Sequence, residues 1–213
     1  MPFPPRDSSG RRNRSQDGSP AGGGVRAAVS NWRSAVGVTA AFVVLLWAVE
    51  IFDQVTPVHL DDDGVRPRSL SGLDGIAWMP LLHGGYDHLV SNTMLTIPLL
   101  FLTLLGSLRR GLLATAVIWG VAGCGTWLVA GTGTSHIGAS GLVFGWLTFL
   151  ILRGVYTRSP LQIVIGIALL ASYGSMLIGV LPGQPGISWE GHLFGACGGV
   201  LAARLLRPRP APH

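Results

Sequence analysis

The sequence predicts an all-α membrane protein, a bundle of six transmembrane helices. Three observations carry that expectation. Only 12% of the 213 residues are charged while 48% are hydrophobic, against about 25% charged in a soluble domain. The apolar residues gather into six long runs separated by short breaks rich in Arg, Gly or Pro. The arginines fall in alternate breaks, as topology in a membrane requires.

The runs are taken in order. The first spans about Ala35 to Phe52, the second Asp87 to Leu108, the third Leu112 to Ala130. The fourth spans Ser140 to Leu152, the fifth Leu161 to Leu181 and the sixth Trp189 to Leu206. A spanning helix needs about 20 apolar residues, so the fourth run is short. Its start is expected to be recessed below the membrane surface, because Gly131 to Ser135 before it looks like a loop. The alternative is a helix extending past Leu152 through Arg153 and Tyr156. Irregular backbone at membrane depth needs a wet cavity lined by protein.

Residues 1–33 are rich in Pro, Gly, Ser and Arg, without the apolar core of a signal peptide, and are expected to be a disordered basic tail. The membrane domain is expected over 34–207, with a short tail at 208–213. The net charge is +5 and every basic residue is Arg. Such a balance can indicate nucleic acid, but these arginines border hydrophobic runs, so no nucleic-acid partner is expected. With Arg6, Arg11, Arg12, Arg14, Arg26 and Arg33 placed inside, Arg109, Arg110, Arg153, Arg158, Arg204, Arg207 and Arg209 also fall inside. Asp53, Asp61, Asp62, Asp63, Asp74 and Glu190 then fall outside, with Arg66 and Arg68. Both termini are therefore expected on the cytoplasmic face of a multi-pass cell-membrane protein.

The outer break, about 53–86, is long for a connection, and Trp78, Met79, Leu81 and Leu82 suggest contact with the interface. Its Asp61-Asp62-Asp63-Gly64 run lacks the Glu a calcium loop needs at its twelfth position, which is Gly72. It reads as a solvated acidic loop. Cys124 and Cys197 lie in apolar runs and read as free thiols.

Polar side chains inside membrane segments are costly and usually functional. His88 and Asn92 are one turn apart at the start of the second run. Ser140 opens the fourth, in Gly-Ala-Ser-Gly, and His192 stands near the start of the sixth. These three runs cross in the same direction, so the four residues share one layer toward the outer face. Gly141 and Gly145 in the fourth run, and Gly191, Gly195 and Gly199 in the sixth, repeat at the four-residue spacing that lets helix backbones approach. Gly138, just before the fourth run, is expected to join the small residues that pack at the site, and packing along these stripes would bring Ser140 and His192 together.

A serine hydroxyl needs a base to become a nucleophile, and His192 is the candidate. Glu190 and Asp87 point away from their neighbouring histidines, so a Ser–His dyad is expected rather than a triad. Phe144, one turn after Ser140, could support the imidazole by packing. The Ser140 N–H at a helix start, the Asn92 amide and the His88 ring N–H are candidate donors to an oxyanion. His83 and His136 read as loop or interface residues, and His59 as a solvated loop residue.

Taken singly, these signals have bland readings: Gly-Ala-Ser-Gly as a packing patch, a membrane histidine as an interhelical hydrogen bonder. Together they resemble the rhomboid proteases. Gly138-Ala139-Ser140-Gly141 resembles that family's G-x-S-G motif. Gly191-His192 with Gly195 and Gly199 resembles its last catalytic helix, and His88-x-x-x-Asn92 its second-helix motif. The resemblance covers about residues 35–207. It implies a rhomboid-like six-helix bundle and an intramembrane serine endopeptidase with Ser140 as nucleophile and His192 as base. His88 and Asn92 would assist the oxyanion. The substrates would be single-span membrane proteins cut near their outer end, with no metal or other cofactor. The chain departs from many members in lacking an acidic residue after the second run and a Trp-Arg pair in the first loop, and in carrying Phe144 where many have Tyr. The alternative is a non-catalytic rhomboid-like protein that binds membrane clients. A transporter would show inverted repeats and a metalloprotease an H-E-x-x-H ligand set; neither occurs.

Overall fold

The computed structural model describes residues 20–184 and 186–207, folded into seven α-helices with no strand among the described residues. Each apolar run forms a helix. They are α1 (Pro20–Val55), α3 (Tyr86–Leu105), α4 (Leu108–Val129), α5 (Ser140–Thr157), α6 (Pro160–Tyr173) and α7 (Trp189–Leu205), with a short α2 (Gly75–Trp78) in the outer loop. Five segments are long and apolar enough to cross a bilayer: Asn31–Val55, α3, α4, α5 and Pro160–Val180. The sixth, α7, has 17 residues and packs between α4 and α5.

Three boundaries differ from expectation, each for a local reason. The helix α1 begins at Pro20, within the stretch 1–33 expected to be a tail. Proline lacks the N–H that a first helical residue cannot use. Residues 1–19 and 208–213 lie outside the described residues. The helix α5 continues past Leu152 to Thr157, giving 18 residues and about 27 Å at about 1.5 Å per residue. This is the extension that stood as the alternative to recession. Within this extension Arg153 Nε donates to Gln162 Oε1 at 3.1 Å, and the helix ends where Arg158 turns left-handed at φ 53°. The fifth run is a continuous α-helix only to Tyr173. Gly174–Val180 wind as a tighter 3₁₀ segment, where Gly174 and Gly179 weaken the α-helical preference.

The remaining elements start and stop where the sequence provides caps. Ser107 accepts the Arg110 N–H to open α4, and Ser188 accepts the Gly191 N–H to open α7. At the centre, Trp146, Leu99, Leu104, Ile118, Leu142, Leu147, Ala202 and Ala203 form the main apolar core. Trp146 buries its polar edge by donating to Thr115 Oγ1 at 3.0 Å.

The outer loop is not loose. Trp119 Nε1 donates to Ile76 O at 2.7 Å and Trp127 Nε1 to Ser69 O at 2.9 Å, holding it on α4. Met79 and Leu82 are buried there, whereas Trp78 is half exposed. One acidic residue of this loop is uncomfortable. Burial, with Asp53, Glu50 and Asp62 nearby, pushes the Asp61 carboxyl up from 3.8 to about 6. A carboxyl whose folded-state pKa is raised binds its proton more tightly when folded. Its ionisation therefore costs stability as pH climbs from 3.8 to about 6, and the full cost is present above that window. Asp61→Asn is expected to raise the thermal midpoint in detergent at neutral pH, and the gain should vanish at a pH below 3.8. A gain independent of pH would contradict the cause.

Candidate active site

The glycine stripes of α5 and α7 interleave. A methyl group placed on Gly145 would lie 2.8 Å from the Gly195 carbonyl oxygen, and one on Gly141 would lie 3.2 Å from that of Gly191. Methyl groups on Gly195 and Gly199 would fall into the carbonyls of Gly141 and Gly145. Thr148 ties the seam by donating to Ala196 O at 2.9 Å. Only backbones this close bring the helix entrances together.

At those entrances His192 Nε2 stands 2.9 Å from Ser140 Oγ. The other ring nitrogen, Nδ1, is 3.0 Å from the carbonyl oxygen of Gly179. A carbonyl only accepts, so Nδ1 carries the ring proton and Nε2 is left to accept from the serine hydroxyl. The group that orients the imidazole is thus a main-chain carbonyl supplied by the 3₁₀ segment. Phe144 stacks on the same ring, with centroids 4.1 Å apart and planes 11° apart.

His88 presents the opposite chemistry. The Gly84 N–H donates to its Nδ1 at 3.4 Å, so Nε2 holds the proton. That edge abuts Gly138, where a Cβ would sit 2.8 Å from Nε2. Gly138 belongs not to the helix seam but to the turn before α5. Its φ of 114° favours glycine, and the absent side chain leaves room for His88. Asn92 is buried one turn further along α3, with Nδ2 donating to His88 O at 3.0 Å. Ser140, as the first residue of α5, has an N–H with no intrahelical acceptor. His88, Asn92, Ser140, Phe144 and His192 line one open cavity of about 690 Å³.

Two histidines read as loop residues also belong to this site. His83 is 1% exposed and accepts the Ala139 N–H at 3.4 Å, beside the nucleophile candidate, with its ring edge-on to His88 at 5.2 Å. Burial, with His88 adding to it, pushes its imidazole down to about 4, so it is neutral at ordinary pH. His136 contacts Thr134 and Ser188, and burial lowers its pKa while Glu190 opposes the shift. Their spacing in sequence carries no signal, because their partners lie on other segments. Glu50 did carry one: it is a lone acid in the first apolar run, 1% exposed, accepting from Gln54 Nε2 at 3.1 Å.

Comparison with known proteins agrees with this architecture. A sequence model of the Rhomboid domain matches residues 73–209. An uncharacterized protein of Mycobacterium bovis is 48% identical over 173 residues, covering 78% of this chain and 72% of its own length. An uncharacterized protein of Mycobacterium tuberculosis (strain H37Rv) matches to the same extent. One of Mycobacterium leprae is 45% identical over 173 residues, covering 78% of this chain and 68% of its own. No solved structure matches. A domain match that takes in every helix from α2 to α7, on a bundle of apolar spans, makes this chain a multi-pass membrane protein that belongs to the rhomboid family.

Proposed function

We propose that the chain is an intramembrane serine endopeptidase that cuts single-span membrane proteins near the outer end of their transmembrane segment. Rhomboid proteins are typically intramembrane serine proteases, and some are inactive. The single observation that favours activity here is the 2.9 Å approach of His192 Nε2 to Ser140 Oγ, with the tautomer set by Gly179.

In this reading a substrate carbonyl carbon meets Ser140 Oγ while His192 Nε2 takes the hydroxyl proton. The imidazolium keeps its Nδ1–H on the Gly179 carbonyl and its face on Phe144. The oxyanion is held by the Ser140 N–H, the His88 Nε2–H and the Asn92 amide. His192 then protonates the leaving amine, and water in the cavity hydrolyses the acyl-serine. In this reading both termini lie on the cytoplasmic side, as the arginine distribution favours, and the entrances of α3, α5 and α7 then lie near the outer face.

The protein reconstituted in lipid vesicles with a single-span model substrate is expected to give two fragments, cut near the substrate's outer membrane boundary. Substrate left intact would contradict the proposal. Asn92→Ala is expected to lower kcat on the order of 10²–10³, the scale for one oxyanion donor. An unchanged kcat would remove Asn92 from that role.

A further inference from the structure

The meeting of Ser140 and His192 has a mirrored counterpart four residues earlier in each segment. His136 precedes Ser140 by four, Ser188 precedes His192 by four, and His136 Nδ1 lies 2.6 Å from Ser188 Oγ. Both pairs join residues 52 apart, with serine and histidine exchanged between the segments. His136 is 7% exposed.

The protons of this second pair can be assigned. Ser188 Oγ accepts the Gly191 N–H at 3.3 Å as the cap of α7. Its own proton is free to go to His136 Nδ1. His136 Nε2–H then donates to Thr134 Oγ1 at 2.8 Å, and the Thr134 hydroxyl donates to Gly131 O at 2.6 Å. One neutral tautomer satisfies every group in the chain. The main chain of His136 is fixed as well, exchanging two hydrogen bonds of 3.0 Å with Val65 in the outer loop.

The glycine seam sets how closely α5 and α7 run along their length, but it does not hold the segments that lead into them. We propose that His136 and Ser188 form a positioning clamp that locks the entry of α5 to the entry of α7 and thereby sets the approach of Ser140 to His192. The clamp rests on the proposed protease reading. It is not a second catalytic pair. Ser188 Oγ takes the Gly191 N–H at the entry of α7 for itself, so that donor holds the hydroxyl as a helix cap instead of being left for an oxyanion.

The test uses the full chain with a fluorophosphonate probe and a single-span substrate. His136→Ala is expected to slow Ser140 labelling and to lower kcat roughly tenfold to a hundredfold, the scale of a small misplacement of reacting groups, with KM within about twofold. His136→Asn can offer its Oδ1 near the Nδ1 position to the Ser188 hydroxyl, and should recover most of the loss. The double variant His136→Ala/Ser188→Ala should fall no further than Ser188→Ala alone. If His136→Ala does not fold, a folded and active His136→Asn supports the clamp, and a folded but equally slow one overturns it. Wild-type rates in His136→Ala, additive losses in the double variant, or label recovered on Ser188 would also overturn it. A wild-type protein labelled on Ser140 beside an unaffected His136→Ala sinks the clamp alone; a wild-type protein that takes no label sinks the protease reading together with it.

Discussion

Ser140→Ala is expected to abolish cleavage of a single-span substrate while leaving the bundle folded. The scale of the loss for a nucleophile that works as a unit with its base is on the order of 10⁶ in kcat. The fold should survive because the hydroxyl contributes one hydrogen bond, to His192, worth about 1 kcal/mol net. The main chain at this point is held independently: Gly138 N–H donates to Met79 O at 2.8 Å and Ala139 N–H to His83. A thermal midpoint in detergent close to that of the wild type, together with no detectable fragments, is the expected pair of results. Fragments formed at the wild-type rate would remove Ser140 as nucleophile.

Gly195→Val is expected to damage both stability and activity. The first added carbon would fall into the Gly141 carbonyl, a backbone group that cannot turn aside. Either the helices part, or the carbonyl shifts and takes the start of α5 with it. Overpacking of this kind costs about 1–3 kcal/mol, and parting α5 from α7 separates Ser140 from His192. Gly120→Ala on α4 is the control, since no described residue lies within 4 Å of the added methyl. Alanine there should be tolerated, with a small gain from helix propensity. A lowered thermal midpoint and lost cleavage for Gly195→Val, beside an unaffected Gly120→Ala, would place the cost in the seam. Equal effects would contradict it.

Much of this arrangement was legible in the sequence, and the reasons are physical. Long apolar runs can only be satisfied as helices in lipid, so the six segments and their order were visible. The glycine stripes were visible because only a small residue permits carbonyl-to-helix contact at Gly141, Gly145, Gly195 and Gly199. The stacking of Phe144 on His192 followed from its place one turn after Ser140. What escaped was carried by backbone or by distant partners. The group orienting His192 is the carbonyl of Gly179, and a carbonyl has no side-chain signature. It is exposed to His192 because the fifth span changes to a 3₁₀ segment, where the sequence reads as one continuous run. His83 and His136 looked like loop residues because their partners, the Ala139 N–H and Ser188, lie 56 and 52 residues away. The partner that Arg153 finds in the extended α5 is Gln162, a residue of the next helix. Gly138 was assigned to the seam because it shares a motif with Gly141; its positive φ and its contact with His88 are properties of the turn.

The account stands on a serine made nucleophilic by its histidine, and active-site labelling measures that directly. The membrane-reconstituted protein is treated with a serine-directed fluorophosphonate and the modified peptide is mapped by mass spectrometry. The adduct is expected on Ser140, and His192→Ala is expected to suppress it. An adduct on another serine, or undiminished labelling of Ser140 in His192→Ala, would contradict the account.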